Sequence, residues 1–266
     1  MSTATINSVL IFGGTGAVGK CLVREALASN AFTRVLTLGR RTLATDDSFT
    51  NTTVLEQKVV NFDQIEDSFP SDLPPVVFCA LGTNLTSAPS KEAWKKIDQQ
   101  YVVDSARYVH EKAPKDPKSG RSKVHFVYCS ALGADPNSHF FGTRTKGETE
   151  QALAGIGFER VSIFQPALLK VVEPRESVTM VEWVATKFVP LLDFVAEKYT
   201  TVSVATVAKC MLLVGTSDGV EVAGIAPKRV ETHPVSKTTV AYYSNANMHD
   251  IMNNVSKLQK QSASHE

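Results

Sequence analysis

Long apolar runs are missing from this chain of 266 residues. No stretch approaches the roughly 20 consecutive apolar residues that a membrane-spanning helix needs, so no span is expected. The nearest approach, Trp183-Val-Ala-Thr-Lys-Phe-Val-Pro-Leu-Leu-Asp-Phe-Val-Ala196, is interrupted by Lys187, Pro190 and Asp193. It reads as a partly buried amphipathic helix ahead of a membrane-surface contact. Met1 to Ser8 has neither a basic region nor an apolar core, so no cleaved targeting peptide is expected. Cysteine is sparse and unpaired in pattern: Cys21, Cys79, Cys129 and Cys210 contain no Cys-x-x-Cys, which points to reduced thiols facing the cytosol. The six histidines form no His-Glu-x-x-His and no zinc-type spacing, so no metal site is expected. Charge of one sign is lacking too. The 28 Lys and Arg nearly cancel 27 Asp and Glu, whereas nucleic-acid binders concentrate cations to displace phosphate counterions.

What is present is a globular composition, 43% hydrophobic, in a chain long enough to bury a large core without staples. Short β-branched runs alternate with helical patterns. Val9–Phe12, Arg34–Leu38, Lys58–Phe62, Val76–Ala80, Val124–Cys129 and Arg160–Phe164 read as strands, and Gly16–Ser29, Lys91–Glu111, Thr143–Gly155 and Thr201–Gly215 as helices. Several strands are continuously apolar, as parallel strands covered on both faces are. This alternation predicts an α/β fold, a doubly wound parallel sheet. Residues 1–170 carry the rhythm. Residues 171–266 lose it and are expected to form a small C-terminal cap over the sheet edge, completing the same domain. Ala113–Lys123, with two prolines and a glycine, reads as a surface loop, and Lys260–Glu266 as a frayed end.

The first strand runs straight into Gly13-Gly-Thr15-Gly16-Ala17-Val18-Gly19, followed by an amphipathic helix. Gly13 suits the sharp turn, Gly16 a close backbone approach to a pyrophosphate, and Gly19 tight helix packing on the sheet. The helix N-terminus then offers its N–H groups to phosphate. Strand before, helix after, and a second strand ending some twenty residues on make this the loop of an NAD(P)-binding Rossmann fold. A mononucleotide P-loop is ruled out, because Lys20 is followed by Cys21 rather than Ser or Thr. The second strand ends Gly39-Arg40-Arg41, with two arginines where an acid would receive a ribose hydroxyl, which favours NADP(H) over NAD(H). Asp63 is expected near the adenine. Ala80-Leu81-Gly82 is expected to let the nicotinamide half lie against the sheet's carboxyl edge.

Ser130 ends the fifth strand and Lys146 follows sixteen residues later. With the glycine loop, this spacing resembles the short-chain dehydrogenases/reductases. The resemblance extends to their atypical Tat-interacting-protein branch, with its fungal mitochondrial outer-membrane relatives. It is carried by Leu38-Gly-Arg-Arg41, Phe78-Cys-Ala-Leu-Gly82, Ser130-Ala-Leu-Gly-Ala-Asp135, Ser138-His-Phe-Phe141, Lys146-Gly-Glu148 and Gln165-Pro166-Ala-Leu168. It covers roughly residues 9–169. The resemblance implies that Ser130 polarises a carbonyl, that Lys146 holds the nicotinamide ribose, and that the Gln165-Pro166 loop covers the nicotinamide. It also implies a tyrosine acid four residues before the lysine. Here that position is Gly142, which can donate nothing, and a general acid typically contributes about 10²–10⁴ in rate. Tyr128 reads as a poor substitute, set back roughly 6–7 Å along the strand. Glu148 reads as a helix-surface acid. Met180, Trp183, Val184, Phe188 and Leu191 read mainly as core, with an apolar substrate wall as the functional alternative.

Three readings follow: a slow NADPH-dependent carbonyl or enone reductase, an NADPH-binding pseudo-enzyme acting on a protein partner, or an empty scaffold. The expected location is the cytoplasm, with peripheral attachment to the mitochondrial outer membrane as the alternative.

Overall fold

Val9, Leu10, Ile11 and Phe12 are all fully buried, so the strand β1 (Ser8–Phe12) has no solvent face. Such a strand belongs inside a sheet that is covered on both sides. In the structure, a computed structural model described here over residues 6–86, 88–170 and 198–264, that is where it lies. It pairs in parallel with β2 (Arg34–Gly39) on one side and β4 (Val76–Cys79) on the other. Alternate side chains feed two cores. Val9 and Ile11 pack with α1 (Ala17–Ala28) and α5 (Val204–Thr216). Leu10 and Phe12 pack with α3 (Tyr101–Lys112) and α4 (Phe141–Gly155).

The sheet has eight strands in the order β3-β2-β1-β4-β5-β6-β10-β9. β3 is Leu55–Val59, β5 Ser122–Cys129, β6 Phe158–Gln165, β9 Arg229–Thr232 and β10 Thr239–Ser244. All pairings are parallel except that of β9 with β10. Strand order reverses between β1 and β4, and open sheets of this kind bind ligands in the crevice at that point, beyond the strands' carboxyl ends.

Several boundaries differ from the sequence reading. β3 begins three residues before the expected Lys58–Phe62. It is an exposed edge strand, and the apolar residues that drew the expectation, Val60 and Phe62, are buried beyond its end. The helix expected over Lys91–Glu111 is α2 (Lys91–Lys95) and α3 joined by a π-helical turn, Lys96–Gln100. Such turns displace side chains from α-helical register and recur at functional sites. α4 starts two residues early, which places Gly142 in its first turn. Thr201–Ser203 is a strand, β8, paired with β7 (Leu168–Lys170), and α5 starts after it with the Ser203 hydroxyl accepting from the Thr206 N–H.

The C-terminal part, read as a cap, is described over residues 198–264. β10 and β9 lengthen the sheet, and α6 (Asn245–Ala263) packs Met248 and Ile251 onto the α1/α5 side. A capping box between Ser244 and Asn247 starts α6, and the helix carries through Lys260–Ala263 instead of fraying there. The segment 171–197, including the apolar residues expected to line a substrate wall, lies outside the described residues.

At the opposite end of β5 from the crevice, His125 is 5% exposed. Its ring lies 3.1 Å from the Gly215 carbonyl oxygen and 2.9 Å from the Ser162 hydroxyl, with the Arg160 guanidinium 2.9 Å away. Burial and that guanidinium draw its pKa down to about 3. An unfolded histidine titrates near about 6.5, so below that pH the unfolded chain binds the extra proton. Stability should therefore fall as pH drops from about 6.5 toward 3, by up to ~1.4 kcal/mol per unit from this group. Urea melts of the wild type and His125→Gln across that window should show a shallower slope for the variant; identical slopes would contradict this.

Candidate active site

Where β1 ends, Gly13 turns the chain with φ +80°, and a Cβ there would lie 2.6 Å from the Ala80 carbonyl oxygen. Backbone meets backbone at the switch point, so only glycine fits. The Gly16 N–H donates to the Gly13 carbonyl at 2.9 Å and closes the turn. A Cβ on Gly19 would stand 2.0 Å from that same carbonyl oxygen. Gly19 therefore packs α1 against the turn, rather than against the sheet as expected. α1 has Gly16 at its N-cap, no side-chain cap and no acid in its first turn. An uncapped helix N-terminus of this kind carries a partial positive charge. Val18 is core, and Thr15 and Ala17 are half-buried beside it.

Beyond β2, Arg40 and Arg41 are exposed, with no hydrogen bond or ion pair among the described residues. Asp63, expected near the adenine, is half-exposed. It pairs with Lys96 at 2.8 Å, and that hydrogen bond lowers its pKa. Its carboxylate ties the segment after β3 to the π-helical turn.

Beyond β4, the Ala80 N–H bonds the Phe12 carbonyl at 3.0 Å, and Leu81 and Gly82 cross above a buried ion pair. Lys146 Nζ lies 2.8 Å from Asp98 Oδ1, with side chains 11% and 2% exposed. Asp98 Oδ2 accepts the Thr83 N–H at 2.8 Å, and Lys146 also donates to the Tyr128 hydroxyl at 3.1 Å. A Cβ on Gly82 would come within 3.1 Å of Asp98 Oδ1 and 3.7 Å of Lys146 Nζ, so glycine keeps the way to the pair open. Burial works against the lysine's charge, but Tyr128 and Asp98 outweigh it and hold Lys146 protonated. Burial also pushes the Tyr128 phenol far above its usual range. Tyr128, set aside on strand geometry, thus reaches the lysine through the length of its ring.

Ser130 belongs to a second cluster. Its hydroxyl donates to Glu150 Oε1 in a short hydrogen bond, and Gln165 Nε2 donates to both Glu150 oxygens at 3.1 Å. Glu150 is 5% exposed, and burial raises its pKa. The Pro166 carbonyl accepts the Leu132 N–H at 2.8 Å, which stitches the segment after β5 to the end of β6. Glu148 points the other way, to Lys95 at 3.2 Å and Gln99 at 3.0 Å, as a surface acid. A Cβ on Gly142 would meet nothing within 4 Å.

The two residues expected to act, Ser130 and Lys146, are thus each anchored on a buried acid that the sequence reading missed. Signals existed for both. Glu150 is one helical turn after Lys146, on the same face. Asp98 follows buried Trp94 by four residues, and an acid on a buried helix stripe is rarely there without a partner.

No protein-family model matches the chain. The protein HTATIP2 of Rattus norvegicus is 35% identical over 207 residues, 77% of this chain and 79% of that protein. The chain belongs to the HTATIP2 family. Fungal relatives match less of it: the protein fmp52 of Emericella nidulans, named as mitochondrial, is 33% identical over 165 residues, covering 61% of this chain and 66% of its own length. Solved short-chain dehydrogenase/reductase structures share the HTATIP2-family fold seen here. One from Burkholderia thailandensis superposes with a TM-score of 0.55 at 15% identity, covering 96% of this chain and 98% of that one. One from Mycobacterium ulcerans gives 0.54 at 16%, covering 91% and 90%. MoeE5, solved with UDP-glucose and NAD, gives 0.54 at 11%, covering 80% and 74%.

Removing one partner of a buried ion pair strands the other, at a cost of about 3–5 kcal/mol. Asp98→Ala should therefore lower stability by about that amount, as should Lys146→Ala, while the double variant should lose less than the two single losses added. Strict additivity in urea melts would mean that the pair is not coupled.

Proposed function

We propose that the chain binds NADP(H) and reduces a carbonyl or enone by hydride transfer. The observation that carries this reading is the Asp98–Lys146–Tyr128 cluster under Gly82, at the mouth of the crevice between β1 and β4. The crevice fits the coenzyme: a turn on which side chains have no room, an uncapped helix N-terminus, and two exposed arginines where a 2′-phosphate would lie. When bound, NADPH supplies the hydride. α1 receives the pyrophosphate on its first-turn N–H groups. Arg40 and Arg41 receive the 2′-phosphate. Lys146, kept charged by Asp98, holds the nicotinamide ribose, and Ser130 meets the carbonyl oxygen. Ala80, Leu81 and Gly82 form the floor, with Gln165 and Pro166 beside them. Solved neighbours that contain NAD or NAD⁺ in this fold support the coenzyme class.

Hydrogen bonds to a charged group are worth about 1.5–3 kcal/mol, or roughly 10–100-fold each. Replacing Arg40 and Arg41 together with alanine should weaken NADPH by at least about tenfold while leaving NADH nearly unchanged, as read by nucleotide fluorescence titration. Equal losses would remove the preference for NADP(H).

Gly142 supports a second reading, in which the chain binds NADPH without turnover and serves a protein partner. The space beside it is empty, so a tyrosine could be accommodated in the first turn of α4. Gly142→Tyr should raise NADPH consumption across a panel of aldehydes, ketones and enones. Wild-type binding with no consumption by either protein would favour the pseudo-enzyme. For location the reading is the cytoplasmic side, with peripheral attachment to the mitochondrial outer membrane as the alternative. The mitochondrial naming of the FMP52 relatives supports the latter, and no helix among the described residues is long and apolar enough to cross a membrane.

A further inference from the structure

A serine hydroxyl has one proton to give, and here Ser130 gives it to Glu150. In that state Ser130 presents only lone pairs to an incoming carbonyl oxygen, which is itself an acceptor. The arrangement reverses when Glu150 carries a proton. The carboxylic acid then donates to Ser130 Oγ, and the serine's own hydrogen turns toward the crevice.

The surroundings of Glu150 favour that reversal. The side chain is enclosed between α4 and the end of β6, 5% exposed, with Ser130 and Gln165 as its hydrogen-bond partners. Both are neutral. The charged and titratable groups facing it are Lys146 on its own helix, Arg229 on β9 and Tyr242 on β10. Each is engaged elsewhere: Lys146 with Asp98, and Arg229 and Tyr242 with Glu231 at 3.5 and 2.7 Å. No ion pair to Glu150 is formed among the described residues. The burial cost of its charge is met by two neutral hydrogen-bond donors and by Arg229 and Lys146 at longer range; burial outweighs them, and the pKa is raised toward the acid form.

We propose that Glu150 is the proton source of the reduction, passing its proton through Ser130 to the substrate oxygen and so replacing the tyrosine missing at position 142. The inference rests on the reductase reading above and deepens it. As hydride forms the new C–H bond at the carbonyl carbon, the C=O π pair moves onto oxygen. That oxygen takes the proton of the Ser130 hydroxyl, and Ser130 Oγ takes the proton of the Glu150 carboxyl. The carbonyl is reduced, the nicotinamide is oxidised, and Glu150 is left as a carboxylate that solvent reprotonates after product leaves. Because Glu150 must start protonated, turnover falls as pH rises through its pKa.

The test uses Glu150→Gln, which keeps a donor to Ser130 but has no proton to transfer. With any carbonyl that the wild type reduces, kcat should drop by about 10²–10⁴-fold and lose its alkaline decline. NADPH affinity by fluorescence should change by less than about twofold. In the Gly142→Tyr background, where a tyrosine supplies the proton, the same substitution should cost less than about threefold. A merely structural role would cost as much in both backgrounds. Carbon-13 NMR of glutamate-labelled protein without coenzyme should show one side-chain carboxyl, absent from Glu150→Gln, titrating above all other glutamates. An unchanged rate and pH profile in Glu150→Gln, or a Glu150 carboxyl titrating in the ordinary range, would overturn the relay while leaving the reductase reading intact. No turnover by the wild type with any carbonyl would overturn both.

Discussion

The turn after β1 and the end of β4 touch backbone to backbone, and the rest of the site depends on that contact. A Cβ at Gly13 would sit 2.6 Å from the Ala80 carbonyl oxygen, and one at Gly19 would sit 2.0 Å from the Gly13 carbonyl oxygen. These distances leave no room for a methyl group, and the atoms in the way are backbone, which cannot rotate aside. The turn is thereby clamped between helix and sheet. The clamp aims the first-turn N–H groups of α1 across the crevice and sets the height of the Ala80–Gly82 segment that covers Lys146. Loosening it would misplace the anion site and the lysine together, because both are measured from the same carbonyl groups.

Below that frame, two buried acids have different partners. Asp98 has Lys146 Nζ 2.8 Å from one oxygen and a backbone N–H on the other. Glu150 has hydroxyl and amide donors but no ion pair among the described residues, so burial prevails and raises its pKa. Asp98 serves the lysine and Glu150 serves the serine. The α4 helix carries both Lys146 and Glu150, one turn apart, so the two clusters are set by a single rigid element.

How much of this was legible in the sequence follows from how local each constraint is. The glycine turn was legible because its parts lie within seven residues, between a strand and a helix that are both strongly patterned. β1, β2 and β4 were legible because burial on both faces leaves uniformly apolar runs. β3 was misplaced because an edge strand of Leu-Glu-Gln-Lys-Val carries no such run. β10 reads Thr-Val-Ala-Tyr-Tyr-Ser, a strand by composition, but the helix-strand rhythm was lost before it, so no neighbour could be assigned. Asp98 and Glu150 were missed because their partners come from other elements: helical spacing marks each as inward-facing but does not say what it meets. Tyr128 was judged by the rise of its strand alone, yet a phenol on a long side chain reaches past the next residue.

The buried carboxyl also weighs on whether the chain is a reductase or only a nucleotide-binding partner. A protein that merely holds a coenzyme gains nothing from an enclosed acid without a cation. Replacing buried ionic or polar groups with well-packed apolar ones is often neutral or stabilising by 1–4 kcal/mol. Position 150 faces the interior at the base of the crevice, and a leucine of similar volume would remove both the desolvation cost and the need for Gln165 to satisfy two oxygens. Gly142 argues the other way, since it removes the acid that the resemblance to short-chain reductases leads one to expect. The two features weigh unequally. The missing tyrosine removes one route for a proton, which another group can supply. The enclosed acid is a standing cost to stability, and the hydroxyl of Ser130 is the neighbour through which it could pass a proton to a substrate.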